Sequence, residues 1–184
     1  MTVAESATTA CGHNEQRARP DDPQHAWECA SCGYIYGLGD RQLKIISGGQ
    51  TGIDQLGLVV AVECGLPTGG WAPKGWVTET GPGLGLAALG LVEHREATYP
   101  PRTRANARMA DGTVWFGESD SRGYRCTQQA ALGKPWLVNP DAPTLRAWLA
   151  SHRIRVLNVA GSRGSRLSPD THARALAVLT EVLR

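Results

Sequence analysis

The chain has 184 residues, 41% hydrophobic and 20% charged, with a formal net charge of +2: enough for one domain with a small appendage, and no electrostatic case for a nucleic-acid partner. Its 22 glycines and 11 prolines fall short of a low-complexity chain, and no apolar run approaches the length of a membrane span. Residues 1–10 carry neither a basic start nor a long apolar stretch, so a cytoplasmic location is expected, and the five cysteines then speak for metal or free thiols rather than a disulfide framework.

Composition shifts near Asp40, which divides the chain into segments 1–40 and 41–184. The first segment opens on a polar tail and then reads "CGHNEQRARPDDPQHAWECASCGY" over 11–34. It is too poor in apolar residues to build a core unaided. Cys29-x-x-Cys32-Gly33 has the shape of a zinc knuckle, and Cys11-x-His13 supplies two further ligands for a tetrahedral structural site, with His25 in reserve. Bound zinc explains how so small a segment becomes ordered. The competing pattern of a zinc deaminase, H-x-E followed by P-C-x-x-C, fails because Glu28 rather than proline precedes Cys29.

From residue 43 onward the pattern alternates between strands and helices. Leu43–Ser47 reads as a buried strand. A helix over Asp54–Cys64 follows, with Ile53, Leu56, Val60 and Cys64 on one face, Gly65 at its end and Pro67 beyond. Cys64 is expected to be a buried core residue. Thr68–Trp71 reads as a short strand. The glycine-rich stretch from 81 is irregular before a strand near Gly90–His94. Arg102–Ala110 is a helix, Thr113–Phe116 a strand, Tyr124–Leu132 a helix closed by Gly133, and Pro135–Val138 a strand. Thr144–His152 is a helix and Val156–Ala160 a strand. Pro169 behind Ser168 opens the last helix. Such alternation predicts an α/β fold with a Rossmann-like, doubly wound, mainly parallel sheet, carrying the small zinc-ribbon-like segment in front.

In a sheet of this kind ligands sit beyond the carboxyl ends of the strands. Two glycine-rich turns fall there. In "SGGQTG" the glycines Gly48, Gly49 and Gly52 allow sharp bending and close backbone approach, Thr51 adds a hydroxyl, and the following helix offers its N-terminus to an anion. In "AGSRGSR" the residues Gly161, Ser162 and Arg163 form a second such turn, with Arg166 close behind. A tight structural turn explains either one alone, but two along one edge favour a phosphate-binding cleft. No G-x-x-x-x-G-K-[ST] or G-x-G-x-x-G is present, which disfavours a P-loop nucleotidase and a nicotinamide dehydrogenase.

The segments "IISGGQTGIDQLGL", "GLPTGGWAPKG", "RTRANARMADGTVWF", "GKPWLV" and "LNVAGSR" occur in that order. Together they resemble the molybdenum cofactor carrier family, within the Rossmann-like superfamily that also holds the lysine-decarboxylase-like phosphoribohydrolases. The resemblance covers about residues 43–184. It implies a homo-oligomeric binder of a phosphorylated pterin or nucleotide, molybdenum cofactor above all, rather than an enzyme. By position it assigns Gly48, Gly49, Gln50, Thr51 and Gly52 to the first anion loop, with Asp54 fixing that loop, and it adds Lys74, Asn106 and the second loop Gly161–Arg163. One segment departs from the family. Where a Gly-Gly-Thr turn is usual, this chain has "ESDSRGYRCTQQA" (118–130), with Gly123 alone in place. The phosphoribohydrolases carry a catalytic glutamate after that turn. Here Gln128 and Gln129 stand nearby, and an amide cannot act as a general base. A nucleotide-processing enzyme is therefore the second expectation.

Overall fold

The computed structural model describes residues 43–184 together with three short strands nearer the N-terminus. Those strands, β1 (Gln16–Ala18), β2 (Trp27–Cys29) and β3 (Ile35–Tyr36), form an antiparallel sheet in that order. Cys11, His13, Cys32 and His25 lie outside the described residues, as does the side chain of Cys29. Among the described residues no group of His, Cys, Asp and Glu side chains is placed to hold a metal ion.

From Leu43 the chain builds a six-stranded sheet from β4 (Lys44–Ile46), β5 (Thr68–Ala72), β8 (Leu91–Glu93), β9 (Gly112–Phe116), β10 (Trp136–Val138) and β11 (Val156–Gly161). A small antiparallel hairpin, β6 (Val77–Thr78) with β7 (Gly81–Pro82), lies between β5 and β8. The large sheet runs β10-β9-β11-β4-β5-β8, and every pair in it is parallel. The fold is therefore the expected Rossmann-like α/β architecture. The chain moves outward from β4 through β5 to β8, then restarts on the other side with β9 and β10. Finally β11 fills the centre, in register Val156↔Lys44 on one side and Leu157↔Gly112 on the other.

Five helices cover the sheet: α1 (Ile53–Glu63), α2 (Tyr99–Met109), α3 (Arg122–Ala130), α4 (Ala142–Ser151) and α5 (Pro169–Leu183). Alternation within the strands decides which helices go where. Leu157 and Val159 of β11 join Ile45, Val114 and Phe116 in an apolar layer under α1, α4 and α5. Asn158 and Ala160 point the other way, toward α2 and α3. One face of the sheet is thus a dry core and the other carries polar groups at its centre. Burying one leucine-sized side chain in the dry layer contributes roughly 1.5–3 kcal/mol.

Helices α3 and α4 each begin two residues earlier than the sequence reading placed them, and two further boundaries differ for physical reasons. Helix α2 begins at Tyr99, with Pro100 and Pro101 inside its first turn, because proline lacks only a donor that the first turn leaves unpaired anyway. Helix α1 ends at Glu63, and Cys64 is its half-buried C-cap beside the core rather than a fully buried residue. Gly65 follows with φ +71°, the left-handed end that glycine adopts without penalty.

Candidate functional site

A cleft of about 420 Å³ opens where β4 and β11 end, between α2 and α3 on the polar side of the sheet. Its floor is Asn158 and Ala160 of β11, and Asn158 donates to the hydroxyl of Thr113 (3.3 Å). Gly48, Gln50 and Asp54 form one wall, and Gly161, Ser162 and Arg163 another. Helix α2 contributes Tyr99, Arg102 and Asn106, and α3 contributes Arg122, Gly123 and Arg125. The two glycine turns do meet at this edge.

Helix α2 pins the first turn. Arg102 and Asn106 are one helical turn apart and share a face. The Asn106 amide donates to the carbonyls of Ser47 and Trp71 (both 3.1 Å) and accepts from the Trp71 amide (2.8 Å). It clamps the ends of β4 and β5 together, with every donor engaged. Arg102 Nη1 donates to Asp54 Oδ2 at 3.1 Å, forming a buried ion pair, and its guanidinium lies 5.7 Å from the Tyr99 ring centre. Gly48 makes this possible. A Cβ there would sit 1.2 Å from Arg102 Nη1, so any side chain would bar the guanidinium from Asp54.

Asp54 joins both turns. Besides Arg102, its carboxylate accepts from the amides of Gln50 (3.3 Å) and Gly161. Burial pushes this carboxyl up. The charge of Arg102 and the hydrogen bonds from Gln50, Arg102 and Gly161 pull it back only in part. Two further amides of the first turn are engaged within the protein: Thr51 N–H donates to Gln50 Oε1 (2.9 Å) and Ile53 N–H to the Ser162 carbonyl (3.2 Å). The amides of Gln50, Thr51 and Ile53 therefore face the protein's own oxygens. The positive charge along the cleft lining comes from guanidinium groups.

The other two glycines of the first turn serve internal packing. A Cβ on Gly49 (φ +70°) would lie 2.8 Å from both Leu86 and Leu91, and one on Gly52 (φ +87°) would lie 2.5 Å from the Ser162 carbonyl. Gly49, Thr51 and Gly52 lie outside the cleft lining. Lys74 stands exposed in a single 3₁₀ turn, also outside it. Gly123 lines the cleft with ordinary space around it. Ser162 is buried, and its hydroxyl accepts from the Glu118 amide (3.2 Å).

Several cleft residues escaped the sequence reading. Arg102 was visible as a helical residue one turn before Asn106, but nothing local announced its partner 48 positions earlier. Arg122 and Arg125 lie in the segment that departs from the family, and that segment contains the whole of α3, capped by the Ser121 hydroxyl. Glu79, in the β6–β7 turn, is a further case. Its carboxylate accepts from Thr51 Oγ1, from the Ser165 amide (2.9 Å) and from Ser165 Oγ (2.6 Å), bracing the second turn from outside the cleft. Partial burial opposes its ionisation, but the hydrogen bonds from Ser165 and Thr51 outweigh that and hold its carboxyl below the ordinary value.

Residues 45–183 match the model of the circularly permutated YpsA SLOG family. No curated protein matches the chain. A 1.45 Å crystal structure from Syntrophus aciditrophicus SB, described as a "Putative molybdenum carrier protein", is similar at 34% identity with a TM-score of 0.66. The match spans 78% of this chain and 95% of that one.

Proposed function

The chain belongs to the circularly permutated YpsA SLOG family, and we propose that it is a binding and carrier protein for a phosphorylated pterin or nucleotide-type ligand, with molybdenum cofactor as the leading candidate. The observation that carries this reading is the cleft itself. Five arginines and two aspartates line it, and one aspartate is already paired with Arg102. Guanidinium forks match phosphate oxygens in shape and charge. Arg102 Nε is buried with no hydrogen-bond partner among the described residues. An unpaired buried donor is costly, and a ligand oxygen is a natural partner for it. The similar structure from Syntrophus aciditrophicus, described as a "Putative molybdenum carrier protein", points the same way. In this reading the metal travels as part of the ligand, and the chain's own residues hold the phosphate.

An enzyme of the phosphoribohydrolase type has less support. Gln128 and Gln129 are exposed on α3, and Gln128 donates to the Tyr124 hydroxyl (3.2 Å) rather than lining the cleft. Of the two cleft carboxylates, Asp54 is already ion-paired with Arg102.

The same proposal keeps residues 1–40 as a zinc-ribbon-like unit, with Cys11, His13, Cys29 and Cys32 as ligands. The three short antiparallel strands around Cys29 are compatible with a ribbon. It also keeps a homo-oligomeric, cytoplasmic protein. No helix among the described residues is long and apolar enough to cross a membrane. Native mass spectrometry of protein from a molybdenum-replete host tests these points together. The expected spectrum shows an oligomer retaining a phosphorylated pterin ligand and about one zinc per chain. A metal-free chain that retains no ligand under those conditions contradicts the proposal.

A further inference from the structure

Building on the reading of the cleft as a phosphate site, we propose that it selects a ligand carrying two linked phosphates, and that Arg122 and Arg125 make the selection. Five arginines against two aspartates leave the lining three positive charges in excess. Glu79, outside the lining, offsets Arg163 in part, so the excess is met by between one and two phosphates of about −1.5 to −2 each, and the positions of the cations decide between them.

Position then assigns the charges. Arg102 is buried on the α2 wall, half committed to Asp54, with its Nε unpartnered. Arg163 and Arg166 follow β11 on the far side, and Arg163 lies in the field of the Glu79 carboxylate. These three residues are enough for one phosphate. Arg122 and Arg125 are additional. They lie three apart on α3 and so share one of its faces. Arg122 is the first residue of that helix, where the backbone dipole also favours an anion. Among the described residues the ion pairs are Arg102–Asp54 and Arg146–Glu181, so no carboxylate among those residues pairs with Arg122 or Arg125. The segment "ESDSRGYRCTQQA" thus places two cations on the cleft wall where a Gly-Gly-Thr turn would have left bare backbone.

The test is calorimetric titration of the full chain at fixed ionic strength with orthophosphate, pyrophosphate and citrate. Pyrophosphate is expected to bind at least about tenfold more tightly than either of the others. The double variant Arg122→Gln/Arg125→Gln is expected to lose most of that advantage, its pyrophosphate affinity falling at least about fivefold further than its orthophosphate affinity, while its circular dichroism spectrum is unchanged. Equal affinity for phosphate and pyrophosphate overturns the diphosphate selection and leaves the phosphate cleft standing. So does retention of the advantage in the double variant. Citrate binding as tightly as pyrophosphate reduces the effect to charge and overturns the selection as well. Absence of binding for all three anions overturns the selection together with the phosphate reading beneath it.

Discussion

Arg102 reaches Asp54 only because residue 48 has no side chain, and the two charges are buried together at the mouth of the cleft. Removing one partner of such a pair leaves the other without compensation, which costs about 3–5 kcal/mol. Arg102→Ala is expected to lower the urea midpoint accordingly, and adding Asp54→Asn is expected to recover part of the loss. A double variant less stable than Arg102→Ala alone contradicts this account of the pair. Glu79 gives a pH-dependent counterpart. Its folded-state carboxyl lies below the ordinary value of 4.5, so the ionised form stabilises the fold. That contribution is present in full above pH 4.5 and disappears as pH falls through the folded-state value. Thermal melts of the wild type and Glu79→Gln should therefore differ near pH 6 and converge in acid. A gap of constant size across that range would show that Glu79 does not brace the second turn by its charge. At this scale, legibility followed sequence distance. Asp54 was readable as the residue that fixes the first turn because its Gln50 contact is four positions away. Glu79 was not, because Ser165 stands 86 positions along the chain.

The two turns after β4 and β11 behave as one element. Gly52 packs against the backbone of Ser162–Gly164, Ile53 N–H donates to the Ser162 carbonyl, and Gly164 N–H donates to the Thr51 carbonyl (3.1 Å). Backbone cannot yield as a side-chain tip can. Gly52→Ala is therefore expected to cost at least about 2 kcal/mol, as overpacking and a positive φ combine. Gly65→Ala also meets a positive φ but has nothing within 4 Å, and it should cost only about 1 kcal/mol. Guanidinium chloride unfolding of the two variants decides the matter: equal costs would mean that the turns are not packed as described. Long apolar strands and well-capped helices were readable, because Ser168 and the residues around Pro67 carry local start and stop signals. The β6–β7 hairpin was not. Its strands are two residues each and include Gly81 and Pro82, so no alternation exists to detect. The glycines of "SGGQTG" were readable as a tight turn. Their sequence gave no sign that Gly49 and Gly52 face the protein, since Leu86, Leu91 and Ser162 meet them only in the fold.

Across the whole molecule, the place of β11 explains why the cleft exists. The last strand of the sheet lies between β9 and β4, so both glycine turns come from neighbouring strands although 113 positions separate Thr51 from Gly164. Helix α5 packs on α1, and Leu43 and Leu183 touch the same apolar core. If β11 and α5 preceded β4, they would make an ordinary strand–helix–strand unit with parallel neighbours. The polar face of the sheet then supplies the floor, α2 clamps the first turn, and α3 brings the remaining cations. On the proposed reading, this cleft holds its ligand by phosphate. That is tested most directly by calorimetric titration of the full chain, and of Arg163→Ala, with a stable pterin phosphate and with the same pterin lacking its phosphate. The wild type is expected to bind the phosphorylated compound alone, and Arg163→Ala to bind it more weakly by about 1.5–3 kcal/mol, the worth of a charged hydrogen bond. Equal affinity for the phosphorylated and unphosphorylated pterins, unchanged by the substitution, would contradict it.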